Sequence, residues 1–402
     1  MGIYKYRAKK GPKEVVEATI EAHSEKEAVE KISQMGYLPV YIQESTSTAT
    51  AVSQNKVFSG KIKARDITIF SRELASLLKS GVPILNAINI ILDQAESHNF
   101  KNVLQSIYSE VKEGSTFSSA LSRYPKVFPL LYIALIRAGE DSGSLPDALL
   151  RIADYRLKQE EALSRFRMAL AYPVLMAVVG IGTIVFMLTF VMPRLMQIFI
   201  NMGQSLPLPT QILISLSLIL RKWWFWVSAA MFILIIRRQA KTATAKLFLS
   251  RISLKLPVFG NFMLKAELSR FNRTLELLLK SGITILRAIE VAIPVIDNQI
   301  IREQLRISYK ELEQGGSFGR SLKNSKLFPA FMTNLIIVGE ESGKLFDALS
   351  EIASSYERDT DETMKIMTNL LEPLMILTIG LVVGFIVVAM LLPIFEINVI
   401  LR

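Results

Sequence analysis

The chain has 402 residues, half of them hydrophobic, with a net charge of +11, no cysteine and two histidines. Without cysteine there are no disulfides, no thiolate catalysis and no Cys-ligated zinc, and His23 and His98 alone leave almost nothing for histidine chemistry. The length suggests two or three domains at ~100–200 residues each, and the positive mean hydropathy comes from concentrated apolar runs, which points to a membrane protein.

Residues 3–8 and 14–22 are rich in β-formers around Gly11-Pro12 and read as a hairpin. Ser24 and Glu27 form a capping box for a helix that reaches about Met35 and stops at Gly36. Tyr37–Gln43 reads as a third strand. Residues 1–43 are thus a small α+β unit, too short for much of a core. Residues 44–60 are small, polar and non-periodic, as in a flexible linker.

Residues 61–167 follow a helical period. Ile67, Phe70, Leu74, Leu77 and Leu78 make one apolar face, and Gly81 ends that helix. Pro83 opens the next helix, with Leu85, Ile88 and Ile91. A third runs from about Phe100 to Glu113 and stops at Gly114. Short helices follow at Phe117–Arg123 and Leu130–Ala138. The last begins near Ser144 and Asp147, read as a cap box around Pro146. The expectation is a bundle of about six helices, of the all-α class.

The same module recurs. LLKSGVPIL at Leu77–Leu85, Phe128-Pro129 and GEDSGSLPDAL at Gly139–Leu149 return as LLKSGITIL at Leu278–Leu286, Phe328-Pro329 and GEESGKLFDAL at Gly339–Leu349. A second bundle is therefore expected over 257–367. Each copy feeds a charge-free run with a proline near each end: 168–193, with Pro173 and Pro193, and 373–395, with Pro373 and Pro393. Each is long enough for a bilayer, which takes ~20 apolar residues. A third span is read at 223–240, with Arg221 and Lys222 at one surface and Trp223, Trp224 and Trp226 as an aromatic belt. Residues 194–222 then form an external loop.

Lys and Arg cluster at the membrane edges and are otherwise interspersed with acids. The positive charge is accordingly read as membrane topology and attraction to anionic lipid, not as nucleic-acid binding. Arg156, Lys158, Arg165 and Arg167 precede the first span, and Arg237, Arg238, Lys241 and Lys246 follow the second. Both bundles are expected in the cytoplasm, as is the N-terminus, since MGIYKYRAKKG lacks a secretory apolar core. Residues 396–402 are expected outside.

Catalytic patterns fail on context. Gly315-Gly-Ser317-Phe-Gly319 matches a nucleophile elbow, but its flanks read as helical and no histidine follows His98. Gly339 to Gly343-Lys344-Leu345 is one residue short of a phosphate loop and lacks its hydroxyl. No cofactor or metal is expected. Two readings are open for the paired acids Glu140-Asp141 and Glu340-Glu341: a solvated turn before a helix N-terminus, or a charged docking or metal-contact edge present once per module. Gly380 and Gly384 form a G-x-x-x-G suited to membrane-helix packing. The spans hold no internal charge, unlike an ion pathway. A transporter built on a duplicated module and a membrane-bound sensor are the alternatives.

These residues resemble the inner-membrane platform proteins of type II secretion systems and type IV pili, the GspF/PilC family. The resemblance rests on YKYRA near the start, FSRELASLLKSGVPILNAI at Phe70–Ile88, both acidic motifs, AYPVLM at Ala171–Met176, VMPRLMQIF followed by LPLPT, and LEPLMI with PIF. Phe-Ser-Arg at 70–72 and Phe-Asn-Arg at 271–273 depart from the family's usual Phe-Thr-Arg. The resemblance implies two cytoplasmic bundles, three membrane helices, no enzymatic activity and homo-oligomerisation. It also implies contact with a hexameric assembly ATPase, with a pilin or pseudopilin and with other inner-membrane assembly proteins. Glu140, Glu340, Gly81, Gly282, Gly139 and Gly339 are the candidate partner-contact or shape-setting positions.

Overall fold

The structure, a computed structural model, describes residues 2–9, 15–22, 24–34, 36, 38–45, 62–194, 207–239, 242–257 and 259–400. The chain divides into two compact units, Met1–Lys61 and Ile62–Arg402.

The first unit is a three-stranded antiparallel sheet, β1 (Gly2–Lys9), β2 (Val15–Ala22) and β3 (Leu38–Ser45), in the order β2-β1-β3, with helix α1 (Glu25–Gln34). The Ser24 hydroxyl accepts from Glu27 N at 3.3 Å, so the serine half of the expected capping box is in place. Gly36 has φ +78°, a left-handed value that suits glycine after a helix. Ala22, Ala28 and Ile32 are buried. Strand β3 includes Glu44 and Ser45, which the sequence reading had placed in the linker. The rest of that linker, the Gly11-Pro12 turn and His23 lie outside the described residues.

In the second unit, six helices form the first bundle: α2 (Ala64–Lys79), α3 (Ile84–Gln94), α4 (His98–Lys112), α5 (Phe117–Ser122), α6 (Leu130–Asp141) and α7 (Leu145–Phe186). Spacing explains α2, because Ile67, Phe70 and Leu74 lie on one face and all are buried. Gly81 closes it with φ +85°. Its amide donates to Leu78 O, and Val82 N reaches back to Leu77 O at 3.0 Å, a Schellman closure. Phe70 meets Phe100 edge-on at 5.7 Å and Phe128 at 6.3 Å, and Phe128 meets Tyr132 at 5.0 Å. The Tyr132 and Ser71 hydroxyls bond each other at 2.8 Å inside this core.

After α7, a π-helical turn at Met187–Val191 leads to Arg194. Then come α8 (Leu208–Arg221), α9 (Trp223–Gln239) and α10 (Ala243–Lys255). The second bundle repeats the first: α11 (Phe259–Lys280), α12 (Ile285–Ala292), α13 (Gln299–Glu313), α14 (Phe318–Asn324), α15 (Ala330–Ser342) and α16 (Leu345–Ile400). Gly282 closes α11 as Gly81 closes α2, with φ +81° and Ile283 N bonded to Leu278 O at 3.1 Å. Phe271, Leu275, Leu278, Phe318, Met332 and Ile352 are fully buried.

Several expectations need correction. Pro373, expected to open the span 373–395, does not begin a helix, and Pro173 near the start of the span 168–193 does not interrupt one. They sit inside α7 and α16, which continue unbroken from the bundles. Each proline withholds one donor from the carbonyl four residues back, at Ala169 and Asn369, a loss that membrane helices tolerate. Pro193 and Pro393 likewise lie within helical backbone. Residues 194–222 are not all loop, since 208–221 form α8. Thr210, Leu213, Ile214 and Ser217 lie on one face of it and pack with Leu188, Met192, Ile386, Ala389 and Met390. Helices α8 and α9 meet at a 72° bend, where Arg221 and Lys222 are both exposed. The second bundle also starts earlier than 257, because α10 packs on it. Asn298 Nδ2 donates to Ser250 O at 3.2 Å, and Gln299 N donates to the Ser250 hydroxyl at 3.2 Å.

Among the described residues, two helices are long and apolar enough to cross a membrane, Leu145–Arg194 and Leu345–Leu392. Two bent pairs, α8–α9 and α10–α11, are long and apolar enough only when each pair is taken as one span.

Candidate functional site

The duplicated corner lies where each bundle turns into its long helix. Glu140 sits in the last turn of α6, not ahead of the next helix. Its carboxylate accepts from Phe117 N at 2.6 Å and Ser118 N at 2.9 Å. Glu340 repeats this, accepting from Phe318 N at 2.9 Å, Gly319 N at 3.0 Å and the Ser317 hydroxyl at 2.6 Å. Each acid therefore satisfies first-turn amides of the short helix before it, α5 or α14, where the helix dipole favours negative charge. The second acid of each pair, Asp141 or Glu341, is exposed, and Glu341 meets Arg320 at 3.0 Å on the surface.

This geometry settles what Ser317 does. Its hydroxyl accepts from Arg320 N and donates to Glu340, in a loop flanked by helices α13 and α14. It is a capping residue. Ser144, by contrast, makes no side-chain cap at α7. Its hydroxyl is paired with that of Ser142 at 2.7 Å. His98 stands exposed at the start of α4. Among the described residues, no three His, Asp or Glu side chains are placed to hold a metal ion.

Gly139 and Gly339 allow the next helix to cross closely. A Cβ at Gly139 would lie 2.6 Å from the Ala148 Cβ and 3.1 Å from the Leu145 Cα; at Gly339 it would lie 2.8 Å from the Ala348 Cβ. Gly81 and Gly282 have open space around them, and it is their positive φ that calls for glycine. Gly380 and Gly384 also face open space within the chain. The close contact between the long helices is made instead by Gly180 against Ile379.

Three ties hold α7 and α16 side by side, in register and parallel. Arg165 is 3.9 Å from Asp361, the Tyr172 hydroxyl donates to Glu372 at 3.3 Å, and Gly180 touches Ile379. Helix α8 is bonded to α16 and to the π-helical turn after α7: the Thr210 hydroxyl donates to Ala389 O at 2.6 Å, and the Ser217 hydroxyl donates to Leu188 O. Sequence reasoning missed these two bonds, although the helical spacing of Thr210, Leu213, Ile214 and Ser217 carried the signal.

It also missed how the bundles meet. Arg151 of α7 donates to Lys280 O at 2.7 Å and to the Ser281 hydroxyl at 3.2 Å, and the Tyr155 hydroxyl pairs with that of Thr274 at 3.1 Å. A cleft of about 620 Å³ opens beside this contact, lined by Arg137, Ala138, Asp141, Gly282 and Arg287 among others. Of the six expected positions only Gly282 lines this cleft; across it stands Asp141, the exposed acid of the first module's pair.

Buried polar groups tune the second bundle. Glu267 is 2% exposed, accepts from Asp297 N at 3.0 Å and lies 2.9 Å from Arg270. Burial outweighs the arginine and raises its pKa above the ordinary 4.5. The folded state therefore holds the proton more tightly, so stability falls as pH rises from the ordinary value through the folded one. Glu267→Gln, which keeps an oxygen for Asp297 N, is expected to remove that fall. Thermal unfolding of the purified chain against pH, wild type beside variant, measures it. A constant offset between the two curves would contradict the assignment.

Residues 70–193 and 271–393 match the family described as type II secretion system (T2SS), protein F, once for each copy of the module. The chain is 35% identical over 401 residues to a type IV pilus assembly protein PilC of Thermus thermophilus, covering 99% of this chain and 98% of that one. It is 31% identical over 401 residues to a type II secretion system protein F of Vibrio cholerae, covering 99% of each. It is 34% identical to the type IV pilus assembly protein TapC of Aeromonas hydrophila, over 84% of this chain and 83% of that one. With both modules matched and relatives aligned along almost the whole length, the chain belongs to the type II secretion system protein F family, the GspF/PilC family.

Proposed function

We propose that this chain is a non-enzymatic platform protein of the bacterial inner membrane, serving a type IV pilus or a type II secretion machine. In this reading the helical bundles and the N-terminal α+β unit lie in the cytoplasm. Helices α7, α16 and the α8–α9 pair make three spans, and residues 396–402 reach the periplasm. The bundles receive the motion of a hexameric assembly ATPase. The membrane helices pass it to a pilin or pseudopilin entering the filament, together with other inner-membrane assembly proteins, lipid and further copies of this chain. Glu140, Glu340, Gly139 and Gly339 set the shape of the corner, while exposed Asp141 and Glu341 are available for contact. Nucleic acid and cofactors have no part.

One observation carries the reading. The last helix of each bundle is the membrane-length helix itself, without a joint between them. A displacement of either bundle is therefore passed into the bilayer as a rigid-body motion. The names of the relatives, from both pilus and secretion machines, support the two settings.

The test is to tag the chain in its native membrane, crosslink, purify and identify partners by mass spectrometry. A hexameric ATPase together with a pilin-like protein is the expected result, and the kind of pilin distinguishes pilus from secretion. Recovery of the chain without either, from well-crosslinked membranes, would overturn the coupling role.

A further inference from the structure

The two bundles touch through unlike faces. The first presents α6 and the start of α7, with Arg151 and Tyr155; the second presents the end of α11 and the turn at Gly282, with Thr274, Lys280 and Ser281. A contact between unlike faces of a duplicated module leaves one face of each kind unused. On the second bundle, the repeat places Glu351, Ser355, Val338 and Phe331 where the first has Arg151, Tyr155, Ala138 and Leu131. Leu131 packs against the bundle core, but Phe331 is 46% exposed and Val338 59%. On the first bundle, Glu73, Lys79, Ser80 and Gly81 stand where the second has Thr274, Lys280, Ser281 and Gly282. Thr274 is buried in the chain, while Lys79, Ser80 and Gly81 are exposed.

We propose that these two unused faces bind each other between chains. The α15–α16 face of one copy docks on the α2–α3 turn of the next, repeating the internal bundle contact head to tail. The occupant is a second copy of this chain, because the internal contact is a ready template for it and the substitutions between repeats are complementary across it. Arg151 reaches the end of α11 beside Lys280. Its donors go to the Lys280 carbonyl and the Ser281 hydroxyl; the counterpart Glu351, an acid, would instead accept from the Ser80 hydroxyl and pair with the Lys79 ammonium, a cation with no ion partner among the described residues. Among the described residues Glu351 meets only Arg358, at 3.5 Å, with both side chains mostly exposed. The Tyr155–Thr274 hydroxyl pair is replaced by Ser355 and Glu73, a donor and a carboxylate. Val338 and the part of Phe331 not packed against Tyr356 supply apolar area left exposed among the described residues.

The membrane permits the repetition. Helices α7 and α16 are parallel, so both bundles hang from the bilayer in the same sense. The rotation that relates them within a chain can then relate neighbouring chains without lifting a bundle off the membrane. Heterologous contacts of this kind close into rings or run on as filaments.

The inference rests on self-association, part of the functional reading above, and the experiment separates the two. The cysteine-free chain is expressed as two differently tagged copies, Lys79→Cys in one and Glu351→Cys in the other, and treated in membranes with a short bis-maleimide. Crosslinks joining the two tags are expected, whereas either variant alone gives none. Arg151→Cys with Ser281→Cys in one chain should crosslink internally and reports that the bundles are folded and in contact. A parallel amine-reactive crosslink of the unaltered chain reports self-association by any surface. If that succeeds and the cysteine pair fails, the head-to-tail face is wrong and self-association stands; if both fail, both readings fall. Glu351→Lys should lower the mixed crosslink of a neighbouring pair, Ser80→Cys with Ser355→Cys, several-fold, and Lys79→Glu combined with Glu351→Lys should restore it. Equal yields in all three backgrounds would remove the charge complementarity from the interface.

Discussion

A short run of glycines inserted after Glu161, or separately after Glu362, is expected to abolish filament assembly while both bundles stay folded. Each insertion falls in a helix that belongs to bundle and membrane at once, below the packed bundle residues and close to the Arg165–Asp361 contact. Glycine costs a helix interior about 1 kcal/mol per residue relative to alanine. A run of them thus turns a stiff connection into a joint. The bundles keep their buried sets, which end at Ala153 and Tyr356, so protease resistance of the soluble portion should match the wild type. An alanine run of equal length keeps the helix but rotates and lengthens it, and it should impair assembly through misregistration rather than slackness. Filament counts by electron microscopy, with limited proteolysis of the same membranes, read both effects. Normal filaments from the glycine variants would mean that the bundles do not work through α7 and α16.

Glu140→Ala and Glu340→Ala are expected to destabilise their own bundles strongly, independently of any partner. Each removes a carboxylate bonded to two backbone amides, and Glu340 also holds the Ser317 hydroxyl. Hydrogen bonds to charged groups are worth about 1.5–3 kcal/mol each, and donors left unsatisfied cost a similar amount. A loss of about 3 kcal/mol per variant follows, a drop in Tm on the order of 10 °C for a bundle of this size. The glutamine variants keep an accepting oxygen and should lose about half as much. Asp141→Ala and Glu341→Ala remove exposed carboxylates and should stay within about 0.5 kcal/mol of wild type. Thermal unfolding of the purified chain separates capping from docking: a docking acid would leave Tm unchanged and weaken only partner recovery.

The pattern of what the sequence reveals has a physical basis. The bundle helices were legible because each carries its own punctuation, such as Gly81 and Gly282 in the left-handed region after an amphipathic face. The duplication was legible because identical turns need identical residues. The span read as opening at Pro373 lies inside a longer helix, since proline marks a boundary in water but is carried through in an apolar helix whose neighbours are fixed. Helix α8 was read as loop because joining 211–220 to the apolar run at Trp223 would bury Arg221 and Lys222; a bend between the two helices instead leaves both cations exposed. The acids at the corner were noticed, but their role was not deducible. Adjacent carboxylates look alike in sequence, and only the fold brings Glu140 to the amides of Phe117 and Ser118 while leaving Asp141 in solvent. Pairings across copies, such as Arg151 with Ser281, carry no local signal at all.

Helix α16 has 56 residues and, at ~1.5 Å per residue, a length of about 84 Å. It is pinned near its middle by Tyr172 against Glu372 and by Gly180 against Ile379. A rod held there is a lever with arms of comparable length. A tilt of about 5° around such a fulcrum moves the tips by about 3–4 Å in opposite directions, against a pitch of ~5.4 Å for a helical turn. Angular changes too small to disturb the packing of the bundle therefore displace the two ends in opposite directions by more than half the pitch of a helical turn.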